Sequence, residues 1–230
     1  MNTGEFLESL KEFFLDAIGT VIPGFVALVG AALVVPSLRV ALQSDFLNPW
    51  LAVIGSYVIG NGILGVAGPM QKALGWLGDK VGSQRFRSRR KMIKCIQESV
   101  SYRNFKKIVG NKISESESKG EFHSWRSEAM TIASKEKHVV YRFTFISLFH
   151  TGIAASLLLT PVLWFTVLLL ESIVDLPVNV LRLSAETGLA ISACAFVASV
   201  PFWSRSFEFR ARSLRVPFSM ASASLRTPDK

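Results

Sequence analysis

The sequence has little cysteine and little charge. Its two cysteines lie in unlike surroundings, Cys95 in a basic stretch and Cys194 in an apolar one. They are not expected to pair, which excludes a disulfide framework and is typical of a reducing cytosol. Charged residues make up 19% of the chain, against roughly 25% in an ordinary soluble domain. Where the apolar residues lie along the chain therefore decides the class of protein.

Motifs that carry catalysis or bind metal are also missing. The sequence has no HExxH, no GxSxG, no paired carboxylates, and no histidines and cysteines at metal-ligand spacing. His123 and His138 lie in a basic stretch, where we expect solvated side chains rather than metal ligands. The apolar runs hold no Asp, Glu or Lys that could couple an ion, which disfavours a transporter. We predict a protein that is not an enzyme and binds no cofactor.

What the sequence does contain is long uncharged runs. They cover residues 17–38, 46–71, 143–170 and 187–204. About 20 helical residues cross a hydrocarbon layer roughly 30 Å thick, so each run predicts a membrane span. Helices of a soluble core would need a polar face, which these runs lack. The fourth run is the shortest and could be extended backwards across Leu181 and Leu183.

The first run is expected to stay as an anchor. Glu5, Glu8 and Glu12 precede it, where a removable signal peptide would carry positive charge. The apolar residues Phe6, Leu7, Leu10, Phe13 and Phe14 form a stripe before this run, typical of a helix that lies in an interface or docks on protein. Because its other face is acidic, we favour docking on the basic segment over binding to anionic lipid.

Positive charge predicts the orientation. Residues 72–142 hold 17 Lys and Arg against 7 Asp and Glu, a net charge of +10, which exceeds the +9 of the whole chain. Stretches rich in Lys and Arg beside spans stay in the cytoplasm, so this segment and the basic residues after 204 are predicted to lie inside. The loops 36–45 and 171–186 carry little positive charge and are predicted to lie outside. We expect a multi-pass protein of a bacterial inner membrane with both termini cytoplasmic.

The predicted fold class is all-α, an integral membrane four-helix bundle with a cytosolic helical insert between spans 2 and 3. The predicted domains are 1–71, the amphipathic helix with spans 1 and 2; 72–142, the basic cytosolic helical domain; 143–204, spans 3 and 4; and 205–230, a basic cytosolic tail. Within the insert, residues 111–120 predict a loop. The stripe Phe122, Trp125, Ala129, Ile132 and Ala133 predicts a helix that runs into span 3 as one rod.

Small residues recur on one face of each span. The stretch Gly60-Asn61-Gly62-Ile63-Leu64-Gly65 matches the dinucleotide-binding string GxGxxG, but that motif needs a preceding strand and an aqueous phosphate, so we interpret it as helix packing. Gly24, Gly60, Ser147, Thr151 and Ser192 represent these faces as candidate helix-packing residues. Four such faces indicate a compact bundle and, if both sides of a helix are used, a homo-oligomer.

Asn61 and His150 are the most polar side chains in the predicted spans, and polar residues at membrane depth are candidates for function. At about 1.5 Å per helical residue, both lie roughly 10–12 Å from the inner surface, so they are expected to be able to meet. One interpretation is an interhelical hydrogen bond. The other is a hydrated constriction or pH-sensitive gate, since histidine titrates near neutrality.

The stretch RFRSRRKMIK is the most basic part of the chain. Its candidate binding residues for lipid or a protein partner are Arg85, Arg87, Arg89, Arg90, Lys91 and Lys94. The first interpretation is that these charges keep the segment in the cytoplasm during membrane insertion. Binding to anionic lipid is the second interpretation, since each charge contributes about 1 kcal/mol near a membrane surface. Nucleic acid is the least favoured partner because only Phe86 is available for stacking.

The segments IPGFVALVG and YVIGNGILG, with the N-terminal amphipathic helix and the basic insert, give the chain an organisation that resembles small uncharacterised bacterial four-span membrane proteins, some associated with antiphage defence. The resemblance implies a class and assigns no residue a role. It leads to two hypotheses. The first is a non-enzymatic oligomeric effector or channel-like protein that changes membrane permeability after a cytosolic signal. The second is a membrane scaffold that recruits a cytosolic partner through its basic segment without conducting.

Overall fold

The computed structural model describes residues 3–43, 49–110, 122–134, 137–173 and 184–225. Within these ranges every regular element is an α-helix. The helices are α1 (Thr3–Val34), α2 (Pro36–Gln43), α3 (Pro49–Lys80), α4 (Arg89–Gln97), α5 (Val100–Gly110), α6 (Phe122–Ile132), α7 (Lys137–Ile173) and α8 (Ala185–Ser224). The predicted all-α class is confirmed.

Four of these helices, α1, α3, α7 and α8, are long and apolar enough to cross a membrane. They coincide with the four predicted spans, so the chain has the helices of a multi-pass membrane protein. Two finer predictions lie outside the described part of the chain: the loop at 111–120 and the extension of span 4 across Leu181 and Leu183. The docking of the N-terminal stripe depends on side chains that also fall outside it, although α1 itself begins at Thr3 and continues into span 1.

The chain divides into two compact units. One comprises Met1–Gln71 and Leu148–Ser206, and we call it the span unit; the other comprises Lys72–Ser147 and Phe207–Lys230, and we call it the basic unit. Residues 205–224 of the predicted tail form the last part of α8, and those from Phe207 onward belong to the same compact unit as the predicted insert.

Small residues allow close helix contacts within the span unit. A Cβ atom added to Gly24 of α1 would overlap the carbonyl oxygen of Ser56 in α3, and one added to Gly60 would overlap that of Thr20. On α7, a Cβ at Gly152 would come within 2.8 Å of the Pro23 ring, and the Ser156 hydroxyl donates to the Pro23 carbonyl at 2.7 Å. Helices that lack bulk at these positions gain van der Waals contact along their backbones, which is how helices associate in lipid.

Aromatic residues form the core of the basic unit. Phe218 of α8 is fully buried, and its ring centroid lies 4.9 Å from that of Tyr102, 5.5 Å from that of Phe105 and 5.6 Å from that of Phe122. Trp125 completes the group, 6.2 Å from Phe105. Burial raises the pKa of the Tyr102 hydroxyl, because the charged tyrosinate would lose its hydration. The cluster joins α5, α6 and α8.

One predicted element is corrected. The helix that starts at Phe122 does not continue into span 3 as one α-helix, because α6 ends at Ile132 and the next residue, Ala133, lies in a turn. The predicted stripe itself is present, with Phe122, Trp125, Ala129 and Ala133 buried. Once this stripe is covered, the weak helix formers Thr131 and Ser134 give little reason for the helix to continue.

Candidate functional site

The outward face of α3 carries Asn61 among glycines. The Asn61 side chain is exposed and donates its amide hydrogen to the Tyr57 carbonyl of its own helix at 2.9 Å. Cβ atoms added to Gly62, Gly65 and Gly68 would meet nothing within 4 Å. This face therefore presents one polar amide on a strip of bare backbone. Along α3, Asn61 lies about 16 Å from Trp50 at 1.5 Å per residue, near the middle of a bilayer about 30 Å thick.

His150 occupies different surroundings. Its imidazole is half-buried and lies 5.8 Å from the ring of Phe149 and 5.9 Å from the ring of Phe202. The hydrogen bond described for the Asn61 amide lies within its own helix. That Asn61 and His150 can meet stays a prediction. The sequence indicated the depth of both residues in the membrane but not the direction of their side chains. Gly60 packs closely against Thr20, and the next residue, Asn61, is exposed.

A buried polar cluster lies inside the span unit instead. The Gln71 amide donates to the Ser206 hydroxyl at 2.8 Å and approaches the Thr151 hydroxyl at 3.5 Å, and the two hydroxyls bond to each other. All three side chains are buried. The sequence indicated Thr151 as a packing residue but did not indicate its partners. Gln71 is the last residue of the uncharged run 46–71, and Ser206 lies in the predicted tail.

A sequence signal for Ser206 did exist. Serines recur every seventh residue along α8, and all four are buried: Ser192, Ser199, Ser206 and Ser213. A seven-residue period keeps one face of a helix turned toward its neighbours. The five predicted packing residues, Gly24, Gly60, Ser147, Thr151 and Ser192, are all buried as well.

Three polar atoms of the span unit are buried without a hydrogen-bond partner among the described residues. They are the hydroxyl oxygens of Ser56 and Ser192 and the indole nitrogen of Trp203. An unsatisfied polar atom costs roughly 1–3 kcal/mol. Together with the Gln71 cluster, they make the interior of this unit more polar than helix packing alone requires.

In the basic unit, the predicted basic residues separate into two groups. A groove of about 340 Å³ takes in Arg87, Lys91 and Lys94; its complete lining is Gly82, Ser83, Gln84, Arg87, Lys91, Lys94, Cys95 and Glu98. Arg85, Arg89 and Arg90 are exposed outside it. The Arg89 guanidinium instead lies 3.2 Å from Nε2 of His123 on α6.

Glycines and side-chain bonds hold the loop that forms one wall of this groove. A Cβ on Gly78 would overlap the Phe86 carbonyl oxygen, and one on Gly75 would lie 3.1 Å from the Ser88 Cα. The Asp79 carboxylate accepts from the Ser88 backbone N–H at 3.1 Å. Ser88 then caps α4 by accepting from the Lys91 N–H. The loop is therefore fixed against the end of α3.

Beside Arg89, Arg126 is a cation held partly out of water. One of its terminal nitrogens donates to the Ser213 carbonyl at 3.5 Å, while its Nε is buried with no hydrogen-bond partner among the described residues. Burial lowers the pKa of this guanidinium, and the positive charge of Arg89 lowers it further. The effect of Arg89 reflects positive charge that is concentrated in this part of the unit.

The described residues contain no group of three or more His, Cys, Asp or Glu side chains that could hold a metal ion. The chain matches no protein-family model, no curated protein and no solved structure.

Proposed function

We propose that the protein is a non-enzymatic, oligomeric membrane effector that changes membrane permeability when a cytosolic signal or partner engages its basic unit. The observation that carries the proposal is the exposed Asn61 amide on the glycine face of α3. In hydrocarbon, an amide without a second partner is costly, and polar residues at this depth face a partner helix or water.

A second copy of the chain supplies such a partner. The bare faces at Gly62, Gly65 and Gly68 let another α3 approach closely, as small residues do between membrane helices. Repetition of this contact around an axis brings the Asn61 amides of several copies together. A ring of amides is hydrated and lines a path through the bilayer, whereas the rest of α3 keeps its apolar side chains toward lipid.

Through its resemblance to four-span proteins associated with antiphage defence, we place this permeability change in the inner membrane of a bacterium, with the basic unit and both termini in the cytoplasm. In such a role the basic unit senses infection and the spans respond. Survival of phage-challenged cells that carry the intact chain or the Asn61→Leu variant tests this assignment. Equal survival of the two would contradict it.

The flux experiment uses purified full-length protein in vesicles loaded with potassium. Asn61→Leu removes the amide and Gly65→Leu adds bulk to the same face, so both are expected to reduce flux at least tenfold and to reduce self-association in detergent. Val197→Leu is the control, because Val197 is also exposed on a span but lies on α8. Wild-type flux from both α3 variants would refute the proposal.

The runner-up function is a membrane scaffold that recruits a cytosolic partner without conducting. The basic groove and the exposed Arg85 and Arg90 favour it, because they give the basic unit a charged surface for a partner. A wild-type chain that shows no flux in any vesicle but binds a cytosolic protein tightly would decide for the scaffold.

A further inference from the structure

The groove of the basic unit concentrates cations around a preformed space. Arg87, Lys91 and Lys94 line it, with Glu98 as the only acidic lining residue. Its volume of about 340 Å³ is at the lower end of ligand sites in proteins, which run from about 300 to 1,000 Å³. The space accommodates a small charged group with a modest substituent.

The cations are not fully neutralised by the surrounding residues. Lys91 lies 3.4 Å from the Asp79 carboxylate, whereas the Lys94 ammonium makes no hydrogen bond or ion pair with the described residues. The Arg87 guanidinium donates to the thiol of Cys95 at 3.1 Å, a weak acceptor. Two of the three cations therefore have capacity to bind an anion.

The position of the groove beside the N-terminal end of α4 also favours the binding of an anion. The first turn of α4 contains no acidic residue, although the N-terminal end of a helix carries partial positive charge and favours acids. Arg89, Arg90 and Lys91 occupy that turn instead. An anion in the groove would offset the repulsion among these charges, and the loop fixed by Gly78 and Asp79 needs little reorganisation to receive it.

We propose that this groove binds an anion that bears a phosphate group, through Arg87 and Lys94 with support from Lys91. A phosphate has several acceptor oxygens and up to two negative charges, which suits a planar guanidinium beside two ammonium groups better than a single carboxylate does. The phosphate belongs either to a soluble molecule or to a lipid headgroup. The site goes beyond the permeability proposal and does not depend on it, because binding is measured without flux.

Cys95 provides a reporter inside the groove. Full-length protein with Cys194→Ser in a neutral detergent keeps Cys95 as its remaining cysteine, and the rate at which a maleimide alkylates Cys95 is measured. Two probes are added at constant ionic strength: pyrophosphate for the soluble source, and a short-chain phosphatidylglycerol for the headgroup. A bound probe covers Cys95, so at ten times its dissociation constant alkylation is expected to slow about tenfold.

Two charge-matched double variants test the residues. Arg87→Gln with Lys94→Gln removes the groove cations, and Arg103→Gln with Lys107→Gln removes the same charge from exposed positions of α5. Each variant is compared with its own rate without probe, because the loss of Arg87 also changes the surroundings of the thiol. Protection is expected to disappear in the first variant and to persist in the second.

Each outcome decides something. Protection by pyrophosphate alone identifies a soluble phosphate, protection by the lipid alone identifies a headgroup, and protection by both supports the shared chemistry. Absence of protection by either probe overturns the proposal. Equal loss of protection in the two double variants overturns it as well, because binding would then reflect net charge rather than the groove.

Discussion

Gly24 and Gly60 lie where the backbones of α1 and α3 approach each other closely. An added methyl group at either position would overlap a carbonyl oxygen of the other helix, Ser56 or Thr20. Backbone atoms cannot move aside as a flexible side chain can. The helices would have to separate, and the neighbouring contact of Pro23 with Gly152 would loosen with them.

Gly60→Ala is therefore expected to lower the free energy of unfolding by about 1–3 kcal/mol, the usual cost of overpacking. Gly55→Ala is the matched control, since a Cβ there meets nothing within 4 Å and Gly55 is not among the glycines of the proposed contact between copies. Thermal unfolding of the two variants in detergent measures the difference. If both variants melt at the wild-type temperature, α1 and α3 do not pack as described.

For single residues, the role of a small side chain in packing was easier to predict than the direction in which a polar side chain points. Small residues at helical spacing indicated the packing faces, because only one kind of contact suits them in lipid. The pairing of Asn61 with His150 could not be judged in the same way. Consecutive helical residues are about 100° apart, so the contact of Gly60 with α1 decides where Asn61 points, and hydropathy carries no information about that contact.

Among the elements, α8 differs most from its sequence-based prediction. The chain after Ser204 was predicted to be a charged tail, because four arginines interrupt its hydropathy: Arg205, Arg210, Arg212 and Arg215. The residues that pack into the core lie between and after these arginines. Phe207, Leu214, Phe218 and Ala221 are all buried, and their spacing repeats at helical intervals. Hydropathy averaged over a window hides such a stripe, whereas periodicity would have revealed it.

Phe218→Ala tests this role of α8. The ring is fully buried against Tyr102, Phe105 and Phe122, and removal of a core phenylalanine typically costs about 3–5 kcal/mol. We expect faster hydrogen exchange in α5 and α6, measured by mass spectrometry. Ser219→Ala changes an exposed neighbour and should leave exchange unchanged. Unaltered exchange in Phe218→Ala would show that the last part of α8 does not stabilise α5 and α6.

For the whole molecule, the composition of the basic unit constrains the topology. Its core joins residues before span 3, such as Tyr102, to residues after span 4, such as Phe218. Both segments must lie on the same side of a membrane, which requires an even number of crossings between them. The candidate spans in α7 and α8 satisfy this requirement. Because this requirement does not depend on charge, it independently supports membrane crossing by both α7 and α8.

From the distribution of Lys and Arg, we expect the basic unit to lie on the cytoplasmic side of the membrane. In a chain without its native cysteines, Ser37→Cys places an exposed thiol on α2 and Ser219→Cys places one in the basic unit. A membrane-impermeant maleimide should label the first in intact cells and the second only after lysis. The reverse pattern would invert the topology and place the groove outside.

The buried serines of α8 have a consequence for how the protein is made. The candidate span in α8 has the lowest mean hydropathy of the four, and the Ser192 and Ser199 hydroxyls contribute to this. Transfer of α8 alone into lipid is therefore the least favourable of the four. It is also the last of the described helices to leave the ribosome. We therefore expect insertion of α8 to be favoured when α3 and α7 are already in place, because Gln71 and Thr151 hydrogen-bond to Ser206. The basic unit is then expected to gain Phe218, and with it a complete aromatic core, only late in synthesis.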